Sequence, residues 1–209
     1  DMHQAPYVHG LFRDVFTGVD TRQKKAIPIS ELHMLLNKDP QSEKLRRTQA
    51  IANLLFQFCG MPFSDLAHLE KSNLERGLLK YNRTKTGTPM SIEVLESAQN
   101  AIGGLYNKSD ARSSGYPDYL FRILSGAYKR NEEGAYREYQ SALRRFNNEL
   151  KSLSRKLRLH SPVTSYTLRH SWATTAKYRG VPIEMISESL GHKSIKTTQI
   201  YLKGFELEE

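Results

Sequence analysis

The chain has one cysteine, Cys59, among its 209 residues. A disulfide within the chain is therefore excluded, and so is a thiolate metal cluster. A reducing, intracellular setting fits best. No apolar run approaches the roughly 20 residues that span a bilayer, so no membrane partner is expected. Asp1 to Gly10 are polar and mixed and lack the pattern of a secretory signal. Acidic side chains are outnumbered: 22 Asp and Glu stand against 31 Lys and Arg, for a formal net charge of +9. No carboxylate cluster stands beside the basic segments, which disfavours a metal-dependent nuclease. There is no internal repeat and no low-complexity tract.

Apolar mass is not lacking. Hydrophobic residues make up 38% of the chain and aromatics 10%. That suffices for a sizeable core and excludes a disordered tail. The length suits one long domain, or one domain with an appended arm. The positive excess speaks to partners and not to fold, and nucleic acid is the commonest polyanion.

Residues Asp1 to Lys25 carry Pro6, Gly10 and Gly18 without a clear period and read as an arm or interdomain linker. The domain proper is expected over 26–209. Ser30 is the expected N-cap of a helix that runs to Leu36. A second helical pattern covers Glu43 to Phe58, with Ile51, Leu54, Leu55 and Phe58 on one face. A short helix is expected from Ser64 to Leu69. Leu78 to Arg83 and Met90 to Val94 read as two strands joined by a Thr84 to Thr88 turn. Residues Asn107 to Pro117 read as a loop.

The clearest helix starts near Gly134. Tyr139, Leu143, Phe146, Leu150, Leu153 and Leu157 repeat at steps of four and three, which puts them on one stripe. Arg137, Arg144, Lys151, Arg155 and Arg158 fall on the opposite face. Between Lys129 and Arg169 ten Lys or Arg stand against four Glu. Such a face is either solvated or in contact with phosphates. Three further helices are expected at about Thr167 to Arg179, Pro182 to Leu190 and Ser194 to Leu202, with Gly180 and Gly191 at the breaks. The expected fold class is α+β, mainly helical, with a small antiparallel hairpin packed beside a helical core.

The last fifty residues contain Leu168-Arg169-His170-Ser171, then Leu190-Gly191-His192, then Tyr201 nine residues after that histidine. In this order and spacing they resemble the tyrosine recombinases, a family that includes phage and mobile-element integrases. The resemblance reaches upstream to Lys85 and covers about residues 26 to 203. It implies the fold of that family's catalytic domain, without the N-terminal core-binding domain that normally precedes it. It implies metal-independent cleavage of DNA through a 3′-phosphotyrosine, with religation and no cofactor. Double-stranded DNA is then the partner, with other protomers joining in a synaptic tetramer, in the cytoplasm at the nucleoid.

The resemblance also implies roles. Tyr201 is the nucleophile, Arg169 clamps the scissile phosphate, His192 contacts the phosphate or orients the phenol, and Lys85 is the general acid. The chemistry suits these residue types. A phenol can store the broken bond as an ester. Guanidinium groups match the non-bridging oxygens in pairs. A lysine can protonate the leaving 5′ oxygen. His170 reads as a structural core histidine. The basic stripe on the long helix is the candidate DNA-contacting face.

Two positions depart from the family pattern. Tyr166 stands where a histidine is usual, and as a phenol it can bind phosphate but not shuttle a proton at neutral pH. Pro62, in the Gly60-Met61-Pro62-Phe63-Ser64-Asp65-Leu66 run, stands where a first arginine is usual. Arg83 is the candidate replacement. It lies two residues from Lys85, so on a strand both would point to one side. The departures leave an alternative open, a DNA-binding domain that kept the fold and lost cleavage. A type IB topoisomerase shares the chemistry and would relax one duplex without exchanging strands between two.

Overall fold

The computed structural model describes residues 26–107 and 116–203. The expected arm lies outside the described residues, as does most of the loop expected at Asn107 to Pro117. Helix α1 (Ile29–Asn37) starts two residues earlier than expected. Pro28 holds the cap position, with φ −53°, and its carbonyl accepts from the Leu32 N–H at 2.8 Å. Ser30 thus lies inside the helix instead of capping it, because the proline ring presets the entry angle.

Helix α2 (Glu43–Gln57) is the hub. It packs against α1 and against the helices α4 (Glu96–Leu105), α5 (Glu133–Leu157) and α6 (Ser165–Tyr178). Its expected apolar face, Ile51, Leu54, Leu55 and Phe58, is buried. The short α3 (Phe63–Ala67) follows a sharp turn at Cys59 and Gly60, both at positive φ.

A three-stranded antiparallel sheet follows in the order β1 (Leu74–Glu75), β2 (Leu78–Asn82), β3 (Pro89–Glu93). Leu79 pairs with Ile92 and faces the core, while their neighbours Lys80 and Ser91 face solvent. That is the two-residue alternation of a half-buried strand. The hairpin closes with Arg83 N–H donating to the Thr88 carbonyl at 2.9 Å and Gly87 N–H to that of Arg83 at 2.8 Å. Strand β2 ends at Asn82, so Arg83 and Lys85 belong to the turn. The inference that both point to one side fails there: Arg83 is buried and Lys85 exposed. Turn residues do not follow strand alternation.

Helix α4 has no counterpart in the sequence reading. Gly103 and Gly104 weaken its local propensity, and burial of Ala98, Ile102 and Leu105 against α2 forms it instead. On α5, Phe146, Leu150, Leu153 and Leu157 are buried, and Tyr139 and Leu143 pack against the same core. Each fully buried leucine contributes about 1.5–3 kcal/mol.

The chain then folds back through α6, α7 (Ile183–Ser189) and α8 (Ile195–Lys203). Gly180 and Gly191 take positive φ at the breaks, as their positions predicted. A second, smaller core joins Ala173, Ile186, Leu190 and Leu202, with Trp172 and Tyr201 against it. Helix α6 is the shared wall: Leu168 faces the main core and Ala173 the second. Arg169 therefore emerges at the seam. Among the described residues no helix is long and apolar enough to cross a membrane.

Candidate active site

The seam brings together residues far apart in the chain. Thr164 caps α6, its hydroxyl accepting from the Thr167 N–H at 3.2 Å. The cap sets the start of the helix, so Arg169 emerges on the seam side. Arg169 is 5% exposed. Nη1 donates to the Gly60 carbonyl at 2.8 Å and Nη2 to the Leu190 carbonyl at 2.7 Å. Carbonyls orient the group without cancelling its charge. Burial lowers its pKa, and the nearby charge of Arg83 lowers it further.

His192 follows the Leu190-Gly191 turn, and its Nε2 lies 3.3 Å from Arg169 Nη2. Arginine can only donate, so Nε2 accepts and Nδ1 carries the ring proton in the neutral form. Nδ1 meets Thr198 Oγ1 at 2.9 Å. Burial pushes the imidazole pKa down to about 4, reinforced by Arg169, Arg83 and Lys85. The ring is therefore neutral near pH 7.

Tyr201 lies on α8, one turn after Thr198. Its ring stacks on His170 at 4.3 Å and 14°, with His192 edge-on at 5.6 Å and Tyr166 edge-on at 6.4 Å. The Arg169 guanidinium lies near enough to act on the phenol. Burial raises its pKa, and the Arg169 charge pulls it part of the way back. His170 is 2% exposed and serves as the floor under the phenol ring, a structural place. Tyr166 is 43% exposed on the first turn of α6 and sets its edge against His170 at 4.2 Å.

The hairpin closes the site from the other side. Thr86 and Thr88 hydroxyls both reach the Gly191 carbonyl, at 3.4 Å each. Lys85 is exposed in the turn, just before Thr86, close enough for its charge to depress the His192 pKa. Arg83 is buried and faces Asp65 of α3. Hence Tyr201, Arg169, His192, Arg83 and Tyr166 converge, with Lys85 at the rim.

The basic stripe is exposed along α5. Asn147 Oδ1 accepts from the Ser165 N–H at 2.9 Å, at the start of α6. Arg144 and Lys151 sit three residues before and four after Asn147, so they border that helix start. Arg155 continues the line. Arg158 steps off it, in the left-handed cap position with φ 60°. Arg137 lies farther up the helix, paired with Glu133 at 2.6 Å.

Three contributors escaped the sequence reading. Thr198 orients His192, and its place three residues before Tyr201 on a helix was the available signal. Asp65 lies within the quoted Gly60 to Leu66 run, yet only the fold sets it against Arg83. The carbonyl of Gly60 is a backbone group with no sequence signature. Among the described residues no group of His, Cys, Asp and Glu could hold a metal ion.

Comparison with known proteins matches residues 26–207 to the phage integrase family. A probable integrase/recombinase protein of Methanocaldococcus jannaschii is 28% identical over 204 residues, covering 94% of this chain and 58% of that protein. The tyrosine recombinase XerD of Halalkalibacterium halodurans is 30% identical over 190 residues, covering 86% of this chain and 57% of that protein. This chain thus spans under two thirds of these relatives. The crystal structure of the XerA recombinase superposes with TM-score 0.61 at 23% identity, covering 88% of this chain and 59% of that one. The Tn1549 transposon integrase, solved with a circular intermediate DNA, gives TM-score 0.64 at 16% identity, covering 91% and 64%.

Proposed function

Because the chain belongs to the phage integrase family, we propose that it is the catalytic part of a site-specific recombinase that cuts and rejoins DNA through Tyr201. The carrying observation is the convergence of a buried phenol, a guanidinium held by carbonyls and a neutral imidazole at one seam. The phenol oxygen attacks the scissile phosphorus and its proton passes to solvent. The bond to the 5′ oxygen breaks, and that oxygen takes a proton from the Lys85 ammonium. Arg169 holds the non-bridging oxygens and the charge that builds on them. His192, whose Nε2 accepts from Arg169 and whose ring stands edge-on to the phenol, orients both groups. The phosphotyrosine keeps the bond energy, so religation needs no cofactor.

Double-stranded DNA is the partner in this reading. Arg144, Lys151 and Arg155 carry the neighbouring backbone, with Arg137 and Arg158 at the ends of the line. Four copies of the full-length protein would join two duplexes in the cytoplasm. Pro62 and Tyr166 favour a second reading, a domain that binds DNA without cutting it.

The test is covalent capture. The chain is mixed with a random-sequence pool of nicked duplexes in EDTA, and SDS-resistant adducts are recovered. Adducts with the parent chain and none with Tyr201→Phe support cleavage. Retarded but never covalent complexes favour the second reading.

A further inference from the structure

We infer that Arg83 is a second phosphate-clamping guanidinium and that Asp65 is the positioning residue that aims it. The inference rests on the cleavage reading above. Arg83 is 6% exposed and Asp65 3% exposed. Burying a guanidinium is costly unless its donors are satisfied. Two of the three Arg83 nitrogens, Nε and Nη1, are not. Nε is buried without a hydrogen-bond partner among the described residues. Nη1 lies 3.2 Å from Asp65 Oδ2, close enough to pair but not aligned to hydrogen-bond. A buried cation with idle donors is built for an anion that arrives later.

Its place identifies the anion. A Cβ built on Gly191 would stand 2.9 Å from Arg83 Cγ, so the arginine stem lies against the residue that precedes His192. The charge of Arg83 is felt at Arg169, at His192 and at the Tyr201 phenol. Two guanidinium groups and the Lys85 ammonium thus act on one site, and Asp65 is the carboxylate beside Arg83. A phosphodiester would balance the excess.

Asp65 fixes the aim. Its Oδ1 accepts from the Thr84 N–H at 3.2 Å, so one carboxylate holds both the backbone and the side chain at the hairpin's entry. It stands on α3 directly after Pro62, where no cation is available. The clamp has moved from that turn to the end of β2.

Two measurements test this. On a duplex recovered by covalent capture on the parent chain, Arg83→Met should form adduct roughly 100- to 1000-fold more slowly, the usual loss for one donor to the reacting oxygen. Arg83→Lys should recover part of the rate. Asp65→Asn should lose less than Arg83→Met, and the double variant should be no slower than Arg83→Met alone, as expected for residues acting as one unit. A merely structural Asp65 would instead slow the double variant further. Separately, arginine side-chain NMR of the full chain is followed while inorganic phosphate is added. The Nε–H signal lost in Arg83→Lys should shift together with that of Arg169. If no duplex is captured but this signal shifts, the anion site stands and the cleavage reading falls. Arg83→Met cutting at the parent rate, or an Arg83 signal that ignores phosphate while that of Arg169 moves, overturns the inference.

Discussion

Gly60 and Gly191 offer a paired perturbation, because their backbones are nearly the same and their neighbours are not. Gly60 has φ +64° and Gly191 φ +65°. An alanine at either therefore carries the same left-handed cost, roughly 1–2 kcal/mol. The added methyl then meets different matter. At residue 60 it comes within 3.2 Å of Arg169 Cα and 3.3 Å of the Arg169 carbonyl, which is backbone of α6 and cannot yield. At residue 191 it comes within 2.9 Å of Arg83 Cγ and Met90 Sδ, which are side-chain atoms. Overpacking against rigid structure adds about 1–3 kcal/mol, whereas a side chain can swing away. Gly60→Ala is expected to cost about 2–5 kcal/mol in total, and Gly191→Ala about 1–2 kcal/mol. At this chain length each kcal/mol lowers Tm by roughly 2–4 °C. Denaturant titration and thermal melting read both values. The functional ranking should not follow the stability ranking. Gly191→Ala spares the fold but displaces the stem of Arg83 and loosens the hairpin seated on the 191 carbonyl, so adduct formation should fall at least tenfold. If the two variants lose equal stability while Gly191→Ala cuts at the parent rate, the assignment of that glycine as the hairpin's seat is wrong.

Other expectations concern pH, core and charge. His192 has a folded pKa of about 4 against 6.5 when unperturbed. The unfolded chain therefore takes up a proton that the folded chain refuses, and this contribution is present above pH 6.5 and is lost as pH falls from 6.5 towards 4. For a ring only half-buried it amounts to about 1–2 kcal/mol after solvent screening, and His192→Gln should flatten that part of the stability curve. Leu150→Ala, at a site with 0% exposure, should cost about 2–5 kcal/mol by chemical denaturation. Arg144→Ala and Lys151→Ala should each lower the salt slope of DNA binding by about 1 with Tm unchanged; an unchanged slope would make the stripe a solvated face.

By itself the sequence determined what depends on local periodicity and on spacing along the chain. The six-residue apolar stripe of α5 faces the core because a 3.6-residue period forces those positions onto one face. Gly180 and Gly191 mark helix breaks because a positive φ favours glycine. Tyr201 could be paired with His192 and Arg169 on spacing because all three lie in the last fifty residues, on elements that pack in sequence order. The tertiary structure decided what depends on distant segments meeting. Helix α4 forms through burial against α2 in spite of its glycine pair. The turn after β2 sends Arg83 inward and Lys85 outward, where strand alternation would have put them together. The Asp65–Arg83 pair joins α3 to a hairpin, and Gly60 lends Arg169 a carbonyl from 109 residues away. Backbone acceptors and buried counter-charges leave no periodic trace in the chain, since their positions are fixed only when the two cores close on α6.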